Sequence, residues 1–159
     1  MTQWTRLVTA MFRMAFRGML SQAGERTLIG VVCPPGAAHI NGVQSTAFKR
    51  LPDLVYQAGF SATVIADFFV KSTGRSNLHF IWEQFPRLPW SPAAVVRTLA
   101  LNCLTRSYAL LWNDCWDAVF ERDQWASADQ RLPVEFFSCV RPKAWAASTS
   151  ISSSAWRRA

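Results

Sequence analysis

The sequence is short of the residues that most chemistry requires. Its 159 residues include two histidines, His39 and His79, and four cysteines, Cys33, Cys103, Cys115 and Cys139. No two cysteines have C-x-x-C spacing and neither histidine lies near a ligand cluster, which argues against a metal site. No secretory signal is visible, so a disulfide framework is not expected, and the cysteines read as reduced, mostly buried and cytoplasmic. A G-x-S-x-G elbow, a G-x-x-x-x-G-K loop and a glycine-rich nucleotide turn are all missing. No catalytic set is therefore expected. Long apolar runs are missing too: none reaches roughly eighteen residues, so no membrane span is predicted.

Acids are scarce, 10 against 17 Lys and Arg, for a net charge of +7. The imbalance is uneven. Residues 1–106 hold eleven cations and four acids, 107–140 two and six, and 141–159 four and none. A basic body of this kind suits a polyanion, and equally an ordinary folded protein. Half the residues are apolar, with eight tryptophans and eleven phenylalanines. That composition belongs to one folded domain, and so many rings imply that some face another domain or partner.

The most informative stretch runs from Asp67 to Pro89, DFFVKSTGRSNLHFIWEQFPRLP. Ala62, Ile65, Phe68 and Phe69 have helical spacing and predict a helix near 62–71. It ends in Lys71-Ser72-Thr73-Gly74-Arg75-Ser76-Asn77, dense in cations and hydrogen-bond donors. Lys71 and Thr73 suit phosphate contact. Arg75 and Asn77 suit base edges, because each side chain can make two hydrogen bonds to one base. The same residues also read as a solvated turn, with Gly74 as a left-handed helix cap.

Taken in order, Trp4 to Leu20 predicts an amphipathic helix with Leu7, Met11 and Met14 on one side and arginines on the other. Its cationic, acid-free composition also resembles a transit peptide. Thr27–Cys33 reads as a buried strand. Asn41-Gly42 reads as a hairpin turn, leading into a returning strand over Val43–Phe48. Leu51–Tyr56 is ambiguous, Gly59 is a break, and Ser61 is a candidate helix cap. Ser91-Pro92 is a strong helix start, and apolar positions from Leu99 to Val119 carry one long helix near 92–122. Its charges, Arg97 and Arg106 early and Asp114 and Asp117 late, oppose the helix dipole, which points to something outside the helix fixing them or to chance. The stretch 141–159 is Ser- and Ala-rich and is expected to be disordered.

Val32-Cys33-Pro34-Pro35-Gly36 superficially matches the Asn-Pro-Pro-aromatic motif of amino-methylating enzymes. Cys33 cannot replace the amide acceptor and Gly36 cannot replace the stacking ring. Cys33 as a nucleophile lacks an evident base, and a buried structural role fits it better.

Taken together, several blocks resemble a known family. Glu25-Arg26-Thr27-Leu28-Ile29 with Pro34-Pro35-Gly36-Ala37-Ala38-His39-Ile40 resembles the start of the target-recognition region of Eco57I-like (type IIG) adenine-N6 DNA methyltransferase/restriction enzymes. Asp67-Phe68-Phe69-Val70-Lys71 with Thr73-Gly74-Arg75 resembles the next block, and Phe85-Pro86-Arg87-Leu88-Pro89 its close. Arg97–Thr105 with Tyr108 and Leu111-Trp112 resembles the helix that follows. The likeness covers about Arg13 to Pro133. It implies DNA recognition within a restriction-modification system, with double-stranded DNA and a separate methyltransferase catalytic domain as partners. The family's S-adenosylmethionine site and catalytic motif lie upstream of this region and are not in this sequence, so whether the chain has any enzymatic role stays open and no cofactor is expected in it. By matched position Lys71, Thr73, Gly74 and Arg75 are the leading DNA contacts, with Asn77 beside them and Arg26 and His39 as weaker candidates. Arg26 reads equally well as an ion-pair partner of Asp67. The tail departs from the family in a way expected of a frameshifted remnant. A different reading of the whole is a small basic helical protein that binds a protein or an anionic membrane surface.

The fold expectation is α+β. A small, mainly antiparallel sheet from 26–56 packs against helices near 62–71 and 92–122, in a domain spanning 25–140 after an N-terminal helix at 1–24.

Overall fold

In the computed structural model, the structure describes residues 7–79, 81–86, 89–124 and 127. The tail at 141–159, the segment 128–140, Cys139 and the Arg87-Leu88 pair lie outside them.

Alternation builds the sheet. In Phe12-Arg13-Met14-Ala15-Phe16-Arg17 every second residue is a large apolar one, and strand β1 (Arg13–Arg17) turns Met14 and Phe16 into the core. A residue period of two belongs to a strand, so over 7–20, the described part of the helix expected at Trp4–Leu20, no α-helix forms, and a 3-10 turn at Val8–Ala10 precedes β1. The helical reading failed because Leu7, Met11 and Met14 also fit a spacing near 3.6. β2 (Gly30–Cys33) and β3 (Val43–Ala47) pair on either side of β1, both antiparallel, in the order β2-β1-β3. Arg13 lies opposite Cys33 on one side and Ala47 on the other. The expected strands at 27–33 and 43–48 exist, but the first is shorter and the two do not form a hairpin. The N-terminal strand occupies the place between them, and Gly42 instead accepts a hydrogen bond from Gly18 N at 2.8 Å.

Helix α1 (Leu51–Ser61) has Pro52 in its first turn, which its fixed φ suits, and carries Asp53 at its positive end. It buries Leu54, Val55 and Ala58 against the sheet and against α3 (Pro92–Asn102). Gly59, expected to break the chain, lies inside α1. A Cβ there would collide with the Thr98 hydroxyl of α3, so the glycine permits a close helix–helix approach. α2 (Val64–Ser72) is capped by Thr63, whose Oγ1 accepts from Ala66 N at 3.2 Å. Ser61, the expected cap, instead ends α1 and donates to the Gln57 carbonyl at 2.8 Å.

The helical stretch predicted for 92–122 is divided. Ser91 caps α3 as expected, but the helix stops at Cys103, where φ −115° and ψ 63° leave the helical region. The Cys103 carbonyl accepts from the Trp112 indole at 2.9 Å, which satisfies the broken end. A 3-10 turn at Arg106–Tyr108, helix α4 (Ala109–Cys115) and a 3-10 turn at Ala118–Arg122 follow. This break resolves the unusual charge order. Arg97 bonds Asp123 at 2.9 Å across the chain reversal, and Asp117 caps its own short turn through Val119 N. For Arg97 and Asp117 the fixing partner lies within the chain.

Sheet, α1, α3 and α4 thus share one core, from Met14, Phe16 and Val32 to Leu54, Leu99, Leu111 and Phe120. The architecture is α+β. Among the described residues no helix is long and apolar enough to cross a membrane.

Candidate nucleic-acid interface

The polar turn after α2 is built on a buried acid. Asp67 sits on the inner face of α2, and its Oδ1 accepts from the backbone N–H of Thr27 at 2.8 Å and of Leu28 at 2.7 Å. Arg26 Nε lies 3.5 Å from the same oxygen, and its Nη2 donates to the Ala62 carbonyl at 3.0 Å, near the end of α1. Arg26 therefore joins the two helices to the segment that feeds β2. Of the two readings of Arg26, the ion-pair partner is the one its contacts fit.

Lys71 is half-buried and donates to the Gly24 carbonyl at 3.1 Å. Its ammonium faces no carboxylate among the described residues. Thr73 turns its hydroxyl back to the Val70 carbonyl at 2.7 Å. Gly74 follows with φ +65°, the left-handed value that closes a helix, and its N–H bonds the Lys71 carbonyl at 3.1 Å. Space around it is open, so conformation rather than room requires glycine there.

From Arg75 onward the loop is held from behind. Gln22 Nε2 donates to the Arg75 carbonyl at 2.9 Å, Leu20 N to Ser76 O at 2.8 Å, and Leu78 N to Gly18 O at 2.8 Å. Met19 and Asn77 form an isolated antiparallel bridge. Segment 18–24 thus holds the backbone of 75–78, while the side chains of Arg75, Ser76 and Asn77 stay exposed. The Arg75 guanidinium has no hydrogen bond or ion pair among the described residues. The local charge is modest: Lys71 and Arg75 against Glu25, once Arg26 and Asp67 have neutralised each other.

Five of the seven predicted residues therefore share one stretch, Lys71 in the last turn of α2 and Thr73, Gly74, Arg75 and Asn77 in the loop after it, and Arg26 supports it from beneath. His39 does not belong to it. Its Nε2 lies 2.7 Å from Ser45 Oγ of β3 and its Nδ1 3.2 Å from the Ile40 carbonyl. A carbonyl can only accept, so Nδ1 carries the proton and Nε2 accepts from Ser45. Ser45 Oγ in turn accepts from Arg13 Nη1 at 3.3 Å. Arg13, 2% exposed, also bonds Cys33 Sγ and the Ala37 carbonyl and is not presented to a ligand.

Nothing in the amino-acid order points to the bracing by Gln22, because the pairing of 18–24 with 75–78 is a tertiary event. It also misplaced the apolar face of α2. Ala66, Asp67 and Val70 are buried, while Val64, Ile65 and Phe68 are 75%, 73% and 70% exposed. An apolar ridge thus adjoins the polar loop. The cysteines offer no ligand cluster: Cys103 and Cys115 are buried, burial pushes both thiols up to about 12, and no group of three potential metal ligands occurs among the described residues. Comparison with protein-family models, curated proteins and solved structures returned no match for this chain.

Proposed function

We propose that this chain is a DNA-recognition module of an adenine-N6 DNA methyltransferase in a restriction-modification system, contacting double-stranded DNA through the 71–77 loop and relying on a separate catalytic domain for S-adenosylmethionine and methyl transfer. The resemblance of the ordered blocks motivates the reading. The observation that carries it is the braced loop: hydrogen bonds to 18–24 hold the backbone of 75–78, while Arg75 projects into solvent with no partner among the described residues and Asn77 with a single long contact to Ser76. The braced backbone removes the cost of ordering the loop itself on contact with phosphates or base edges, leaving only that of the side chains.

The reading is tested by duplex binding as a function of salt. Affinity should fall steeply as salt rises. Arg75→Ala should weaken binding, by about 1–3 kcal/mol if the side chain reads a base, without loosening the loop, because Gln22 bonds the Arg75 backbone and not its side chain. Replacing Lys71 as well should weaken it further and flatten the salt dependence. Unchanged affinity in the double variant removes the assignment.

One observation favours a second reading. The exposed ridge of Val64, Ile65 and Phe68 is the kind of surface that docks on a protein. It fits a catalytic domain as partner, and also a basic interaction protein with no DNA role. Equal affinity for anionic vesicles and duplex DNA, without sequence preference, would select the latter.

A further inference from the structure

A second polar feature lies on α1, independent of the 71–77 loop. Asp53, Tyr56, Gln57 and Phe60 follow one another at i, i+3, i+4 and i+7, so they form one stripe along the helix. With Arg50 at the helix start and Trp90 opposite, they line a cleft of about 460 Å³, a size typical of small-molecule sites.

The cleft is chemically graded. Its charged end holds Arg50 and Asp53, whose Nε and Oδ2 are 3.9 Å apart, too far for a firm pair, and both side chains are exposed. Its other end is aromatic. Tyr56 and Trp90 meet with ring centroids 5.6 Å apart and planes at 40°, and the Tyr56 hydroxyl is anchored on the Pro89 carbonyl. At the aromatic end, next to Tyr56 on the helix, lies Gln57, whose Nε2 is enclosed and has no hydrogen-bond partner. Turning the carboxamide about χ3 exchanges its two ends, bringing the donor to the cleft, where a ligand acceptor completes it, and placing the carbonyl oxygen in the enclosed position.

We propose that this cleft binds a nucleoside. The planar base lies against Trp90 and Tyr56, a ring nitrogen or carbonyl of the base accepts from Gln57, and the ribose hydroxyls donate to Asp53. Arg50 and Asp53 cancel in charge, so a neutral nucleoside suits the charged end better than a polyphosphate. An aromatic hydrocarbon leaves Gln57 and Asp53 unmatched, and glucose is the comparison that separates a nucleoside from a simple sugar.

Calorimetric titration of the full chain with adenosine, guanosine, cytidine and uridine tests this, with glucose and indole for comparison. Saturable binding of at least one nucleoside is expected. Gln57→Leu should weaken it about tenfold, and Trp90→Ala should weaken it at least as much. Gln57→Leu removes the unpartnered donor and keeps the side chain's bulk, so its melting temperature should equal or exceed that of the parent protein, which separates lost binding from lost folding. Arg75→Ala should leave nucleoside affinity unchanged, and Gln57→Leu should leave duplex affinity unchanged. Absence of binding by all four nucleosides up to roughly millimolar concentration, affinity unmoved in both cleft variants, or glucose binding as tightly as the best nucleoside would each overturn the proposal.

Discussion

Asp67 is the residue on which the most local structure converges. One carboxylate oxygen accepts two backbone N–H groups and faces the Arg26 guanidinium, while the residue is 6% exposed. Removing it strands two buried donors and a cation together. Asp67→Ala is therefore expected to destabilise the fold by about 3–5 kcal/mol, measured by urea denaturation. Asp67→Asn keeps an acceptor for both amides and should cost less. A loss below that of an ordinary surface substitution in both variants would show that the amides find other partners. Arg26→Ala leaves the two amide bonds intact, and its partly exposed pair with Asp67 makes the smaller contribution. The sequence placed Arg26 and Asp67 together as one of two options; it could not choose, because an arginine satisfied by a carboxylate and one waiting for a phosphate look alike in one dimension.

At the scale of elements, β1 is the piece whose loss has the widest effect. A helix at the N-terminus would be an appendage that the domain survives losing. A strand between two others is different: without β1, neither β2 nor β3 has a partner, since they do not pair with each other. Phe12, Met14 and Phe16 would also leave the core. Deleting residues 1–17 is expected to abolish cooperative thermal unfolding, and near-parental stability of the deletion would contradict the central position of β1. The strand was readable in principle from its alternation. What hid it was length: five residues of period two lie inside a longer stretch that also matches period 3.6, and hydrophobic spacing alone does not separate the two when the apolar residues are this frequent. α2 failed in a related way. Ile65, Phe68 and Phe69 formed the more hydrophobic stripe, yet the helix turned Ala66, Asp67 and Val70 inward, because the carboxylate was needed by the amides of Thr27 and Leu28.

For the whole molecule, buried thiols make stability depend on alkaline pH. Burial raises the thiols of Cys103 and Cys115 from 9.0 to about 12, with Asp114 adding to the effect at Cys115. Below the lower value both folded and unfolded chains hold these protons, and there is no contribution. Between the two values the unfolded chain releases them and the folded chain does not, so the unfolded state gains and stability falls as pH rises. The slope is at most about 1.4 kcal/mol per pH unit for each thiol. Tyr108 is shifted upward by burial as well and acts in the same direction. Denaturation midpoints followed from pH 8 to pH 10 should decline, and Cys115→Ala should decline less steeply than the parent protein. Equal slopes would show that the Cys115 thiol ionises as readily folded as unfolded.

The amino-acid order by itself determined the α+β class, the Ser91-Pro92 helix start, the turn at Gly74 and the collection of polar residues at 71–77, because each depends on local backbone preference or near neighbours. Tertiary structure decided the rest: which strand lies at the centre, which face of α2 is covered, where the helix beyond Cys103 stops, and which polar residues are spoken for. Those outcomes turn on single contacts between distant residues, Asp67 with Thr27, Trp112 with the Cys103 carbonyl, Gly59 against Thr98. Such contacts form only once the chain has collapsed, since a buried polar group must find its partner in space wherever that partner falls in the sequence.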